Sequence, residues 1–181
     1  MSVRLLRRSR MWVAAVVVAA VAAAGLYWFQ PWKLVTDRAV DEALSVVPAP
    51  PSASSVREVP PPGPAVVRQG EFITHEHDTE GQARVIRKVD GSHVLELVGL
   101  STSNGPDLRV WLSDQPVLGG RQGWRVFDDG RWLELGRLKG NRGDQAYAIP
   151  AGTDLDELTS VAIWCKRFAV SFGAAGLGPV A

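Results

Sequence analysis

One cysteine, Cys165, stands among 181 residues, so no disulfide can form within the chain. The thiol is either buried as a small apolar group or engaged with something else. Methionine is nearly as scarce: the only two, Met1 and Met11, fall at the N-terminus. The region beyond them offers no thioether for the long axial bond of a blue-copper centre. Only three histidines occur, His75, His77 and His93, and no C-x-x-C-H run exists to attach a c-type haem. No excess of base is available for nucleic acid either. Four of the 20 basic residues (Arg4, Arg7, Arg8, Arg10) precede the first apolar run, leaving 16 bases against 19 acids, a net of −3. A mildly acidic remainder gives no electrostatic footprint for a polyanion. A chain of this length buries one ordinary core, hardly two.

What the chain does have begins at Met11. From there to Phe29 no charge interrupts an apolar run, which as a helix reaches about the ~30 Å of a bilayer's hydrocarbon core. Basic residues 1–10 on one side set the expected orientation, N-terminus in the cytoplasm and everything after Phe29 outside. Tyr27, Trp28, Phe29 and Trp32 supply aromatics for the exit interface. A cleaved signal peptide is the competing reading, since Ala22-Ala23-Ala24 is a small-residue pattern. The apolar run continues past it into bulky aromatics, which favours the anchor. No cysteine directly follows the run, so lipid modification there is excluded.

Residues 31–45 read as a short amphipathic juxtamembrane helix. Pro31 suits a first turn, Trp32, Val35, Ala39 and Ala43 fall on one side, and Arg38–Glu42 is an i, i+4 pair. Residues 46–67 read as a linker, with seven of the 12 prolines between 48 and 64. An extended proline-rich spacer of this kind, at ~3.1 Å per residue, reaches roughly 50 Å.

Residues 68–181 change to short alternating runs. Ala83–Val89 and His93–Leu97 flank Asp90-Gly91, a strong hairpin signal. Leu108, Val110 and Leu112 alternate with Arg109 and Trp111. Further strands are expected at Trp132–Leu135, Gln145–Ile149, Ser160–Cys165 and Phe168–Phe172, with an excursion loop over 114–131 and a helical turn at Thr153–Leu158. Six or more strands without a long amphipathic helix predict an all-β domain, an antiparallel sandwich or barrel. Both faces of Val161–Lys166 begin apolar, which suits a central strand.

The candidate chemistry is sparse. Cys165 shares a strand face with Val161 and Ile163, which favours burial, yet Lys166 and Arg167 adjoin it and could lower its pKa. His75 and His77, two apart, would face one side of a strand, and with Cys165 would make a His/Cys site for copper or zinc. Asp107, Gln145 and Tyr147 are the polar residues best suited to specific hydrogen bonds. Lys139-Gly140-Asn141-Arg142-Gly143 is no phosphate loop, because no Gly-Lys-Ser/Thr opens a helix there; turn chemistry accounts for it. No hydrolytic constellation appears, and an enzyme is not expected.

Several of these segments, in order, resemble one known family. They are Gly70-Glu71-Phe72, His77 and Gly81; Gly105-Pro106-Asp107-Leu108; Leu135-Gly136-Arg137-Leu138-Lys139-Gly140; Gly143-Asp144-Gln145-Ala146-Tyr147-Ala148-Ile149-Pro150; and Val161-Ala162-Ile163-Trp164-Cys165 with Phe168, Phe172 and Gly173. Residues 70 to 178 thereby resemble the electron-transfer DM domain, the "DM-thirteen" module often found beside DOMON domains. With anchor, stalk and proline linker, the chain is similar to actinobacterial envelope versions. The resemblance implies a β-rich extracytoplasmic domain and an electron-transfer role centred on a cysteine at the position of Cys165. It leaves open whether a metal or haem is bound, and which envelope protein or redox partner is met. The alternative is a non-catalytic binding module in which Cys165 is core packing.

Overall fold

The computed structural model describes residues 2–47 and 63–180. An α-helix, α1, runs from Ser2 to Phe29. Its segment Arg10–Phe29 has a mean hydropathy of 2.0 and none of it is buried in the protein, so it is long and apolar enough to cross a membrane.

Two sheets make up the rest. The first has six strands: β1 (Ala39–Asp41), β2 (Ala65–Glu71), β4 (Glu80–Arg87), β5 (His93–Ser101), β8 (Arg142–Ile149) and β11 (Gly178–Pro179), in the order β1-β8-β5-β4-β2-β11. The second has β3 (Ile73–Thr74), β6 (Leu108–Ser113), β7 (Trp132–Arg137), β9 (Ser160–Cys165) and β10 (Val170–Gly176), in the order β3-β10-β9-β6-β7. Every pairing is antiparallel except β1 with β8. The domain is the expected sandwich.

The core lies between the sheets because each strand sends alternate residues inward. Val85, Leu95 and Leu97 from one sheet meet Val110, Leu112, Val161, Ile163 and Cys165 from the other, all fully buried. Each large aliphatic side chain so buried stabilises the fold by about 1.5–3 kcal/mol. The central strand β9 is buried on both faces. Its outward residues Ala162 and Trp164 join Trp111, Phe127 and Ala174 in a second cluster. The expected excursion loop over 114–131 covers that face: Phe127 is fully buried, and the Ser171 N–H donates to the Trp124 carbonyl at 2.7 Å.

Residues 31–45 do not form the expected amphipathic helix. Only Pro31–Val35 is helical, as a 3-10 turn, and Ala39–Asp41 is the edge strand β1. Main-chain pairing with β8 at Ala39↔Arg142 through Asp41↔Asp144 outweighs a helical periodicity spread over four weakly apolar positions. Most of the proline-rich linker, residues 48–62, lies outside the described residues; its C-terminal part, from Ala65, is already β2. Because β1 precedes that linker, the linker joins two strands of one sandwich and does not set the distance between helix and domain. The strand expected at Phe168–Phe172 starts at Val170, after a hairpin turn over 166–169, and Thr153–Leu158 is a turn closed by the Leu158 N–H on the Asp154 carbonyl at 3.0 Å.

Candidate functional site

Strand β9 ends at Cys165, whose side chain is 0% exposed. The chain reverses through Lys166–Ala169 and returns at Val170, paired with Cys165. The Phe168 N–H closes this turn on the Cys165 carbonyl at 3.2 Å. Ala169 completes it at φ 48, in the left-handed region that costs a non-glycine residue about 1–2 kcal/mol. Asp107 holds the turn from the adjacent strand entry. Its carbonyl accepts the Lys166 N–H at 3.0 Å, while its carboxylate accepts from Arg109 Nε at 2.8 Å.

Two opposing effects act on the thiol. Burial pushes its pKa above the ordinary value, and this is the larger effect. Hydrogen bonds from the backbone amides of Phe168, Arg167 and Asp107 pull the other way, and the nearby Glu76 carboxylate adds to burial. The neighbouring cations do not reach the sulfur in the manner their sequence position suggests. Lys166 Nζ lies 3.4 Å from Glu134, and Arg167 donates to the carbonyls of Tyr27 (3.2 Å) and Trp28 (2.6 Å) at the end of α1.

The histidines do not join Cys165. The strand carrying them stops at Thr74, so period two no longer applies, and the two rings part. His75 is buried on the outer face, 5.8 Å from Phe127 between ring centroids. One ring nitrogen is 2.9 Å from Ser171 Oγ and the other 3.1 Å from the Leu118 carbonyl. Burial lowers its pKa. His77 packs instead on Phe172 with ring centroids 4.0 Å apart. Among the described residues no group of three or more His, Cys, Asp or Glu side chains is placed to hold a metal. The structure does not gather the copper or zinc trio His75–His77–Cys165 among the described residues: both His75 nitrogens have partners, and Cys165 is buried in the core. His93 sits at the start of β5, at the opposite end of the sandwich.

Asp107, Gln145 and Tyr147 fasten main chain. Gln145, fully buried, accepts the N–H groups of Lys139 (3.1 Å) and Gly140 (3.2 Å) and donates to the Gly140 carbonyl at 2.8 Å. The Tyr147 hydroxyl donates to Gln145 at 2.8 Å and accepts from the Lys139 N–H at 3.0 Å. Its pKa is pushed up to about 12, first by burial. Lys139 Nζ caps the ring face at 4.9 Å and contacts both Glu42 oxygens at 2.8 Å.

The same segment does something that turn chemistry does not explain: it receives the stretch after α1. A Cβ on Gly140 would lie 2.4 Å from the Arg38 carbonyl oxygen, and one on Gly143 (φ +93) 2.1 Å from that of Val40. Asn141 accepts the Arg38 N–H at 2.7 Å and donates to Asp37 at 2.7 Å, and Arg142 Nε lies 2.9 Å from Asp37. Further along, the Ser45 N–H donates to buried Glu96 at 2.7 Å. Residues 37–45 are thus a strap along the β8 edge. The sequence signal was a Gly-x-x-Gly spacing beside an edge strand, unreadable without its partner.

The profile of the family described as "Electron transfer DM13" matches residues 71–177. The chain belongs to that family. No curated protein and no solved structure matches it. The match starts after the strap, so in this DM13 protein residues 37–45 close a sheet edge from outside the family's own span.

Proposed function

We propose that this DM13 protein is a membrane-anchored electron-transfer module of the cell envelope, with residues 1–10 in the cytoplasm, the β domain outside, and Cys165 as the redox centre. The family's description supports the reaction class. The apolar helix and its basic flank support the anchor and its direction. The observation that carries the role of Cys165 is its position: the one thiol of the chain ends the central strand β9, beside the Lys166–Ala169 turn whose Arg167 holds the end of α1. Amide donors stabilise negative charge on sulfur, whereas burial keeps the resting group a neutral thiol. One-electron oxidation of Cys165 takes the thiol to a thiyl radical; an oxidised partner protein of the envelope takes the electron, and the nearby Glu76 carboxylate takes the proton.

Voltammetry of the full chain in lipid nanodiscs tests this. A wave present in the wild type and absent from a folded Cys165→Ser variant is the expected result. No wave, or the same wave in both, refutes it. The complete burial of the thiol favours a second reading, a binding module in which Cys165 only packs. On that reading Cys165→Ala lowers stability and alters no electrochemical signal.

A further inference from the structure

A cavity of about 390 Å³ lies between the end of α1 and the sandwich, within the size range of small-molecule sites. Phe29, Pro31 and Leu34 wall it on the helix side, and Pro106, Phe168 and Phe172 on the domain side. Its aromatic rings include one stacked and one tilted pair. Phe29 and Phe168 stack with centroids 5.7 Å apart and 22° between planes, and His77 lies on Phe172.

The polar groups are few. Lys33 and Glu76 offset one another in charge, so the lining does not select an ion. Among the described residues, two donors have N–H groups without a partner. Lys33 Nζ gives one of its three to the Gly105 carbonyl at 3.1 Å, and the Asn104 amide gives one of its two to the Thr36 carbonyl at 3.1 Å. A neutral, flat ligand bearing acceptor oxygens matches these walls. An acyl chain uses neither the ring planes nor the donors. The helix-side wall is the last residue of a membrane-length helix, so an apolar tail has a path back to the bilayer.

We propose that this cavity binds the ring of a membrane-dissolved quinone, with Lys33 and Asn104 donating to its carbonyl oxygens and its tail running along Phe29. The site adjoins Cys165, because Phe168, which lines it, donates its N–H to the Cys165 carbonyl at 3.2 Å. The proposal concerns binding and includes no transfer step. It rests on the membrane-anchored electron-transfer reading for the choice of ligand class.

The test is photolabelling of the full chain in phosphatidylcholine nanodiscs with an azido-benzoquinone carrying a short alkyl tail, mapped by mass spectrometry. Labelling is expected within 29–34, 104–106 and 168–172, and to disappear with excess unlabelled quinone. Leu34→Trp, at a side chain already 60% exposed, fills the cavity and is expected to cut competable labelling about tenfold; Lys33→Met about fivefold. Trp132→Ala, on the remote edge strand β7, leaves it unchanged. Uniform labelling along α1, indifference to Leu34→Trp, or equal competition by an alkane of the same tail length overturns the proposal, the last marking an acyl-chain pocket. Labelling is scored in Cys165→Ser as well, where it should persist. Loss of the site and loss of the Cys165 wave are therefore separate results.

Discussion

The two ends of the sandwich are built by different means. At the end bearing the turns 88–92 and 150–158, the turns are held by local contacts, and the only long-range side-chain partners among the described residues are the exposed ion pairs Arg68–Asp156 and Arg131–Glu157. Ser92 bonds Asp90, Thr153 bonds the Pro150 carbonyl, and the N–H groups of Asp156 and Glu157 share Asp154. At the end bearing 102–107, 138–141 and 166–169, the contacts cross long stretches of chain. Asn141 reaches Asp37, Lys139 reaches Glu42, Lys33 reaches Gly105 and Arg167 reaches Trp28. One end is closed chiefly by turn chemistry, with two exposed ion pairs added. The other is closed by the segment that leads in from the helix, and the cavity and Cys165 lie there.

The largest test of that difference is Gly143→Val. A left-handed φ and a side chain thrust at the Val40 carbonyl both oppose it, and we expect a loss of about 3 kcal/mol with release of β1. Chemical denaturation reads the first, and protease accessibility of residues 37–45 the second. Gln145→Ala comes next, at about 2 kcal/mol, because it strips the partner from both Gly140 backbone groups and leaves the Lys139 N–H only the Tyr147 hydroxyl. A Gln145→Ala protein as stable as wild type would show that this end does not depend on its long-range fastening.

His75 makes the same comparison by pH. Its pKa is lowered in the fold, chiefly by burial, so below about the ordinary 6.5 the unfolded chain takes up a proton that the folded chain resists. Stability is expected to fall as pH drops through that value. His75→Gln should flatten this limb of a thermal-midpoint profile, and an unchanged limb would exclude His75 as its source. The smallest effects are a pair of opposite sign. Gly91→Ala in the 88–92 turn, at φ +81 with open space around it, should cost about 1 kcal/mol. Ala169→Gly in the 166–169 turn should gain about 0.5 kcal/mol by relieving φ 48. Equal signs would mean that one of these turns relaxes on substitution.

The same contrast explains what could be read from the sequence. The Asp90-Gly91 hairpin, the two-faced strand at Ser160–Cys165 and the loop over 114–131 follow from local pattern, and each stands where expected. The strand at Ala39–Asp41 does not, because three residues carry no period and their partner, β8, lies about a hundred positions away. The His75–His77 pairing failed for a related reason: alternation holds only while the strand lasts, and it ends at Thr74. Asp107, Gln145 and Tyr147 were legible as hydrogen-bonding residues. That they hold main chain, and that the cavity borrows its wall from α1, depends on contacts that no window of sequence contains.

Placing β1 ahead of residues 48–62 also changes what a cut in that stretch can do. Covalently, cleavage there divides α1 and β1 from the rest of the domain. In the fold, β1, the Glu42–Lys139 pair and the Ser45–Glu96 bond hold the α1 fragment on the sheet. Under the proposed anchoring, nicked protein is expected to sediment with the membrane until denaturant frees the strap, so shedding of this domain would need unfolding as well as cleavage.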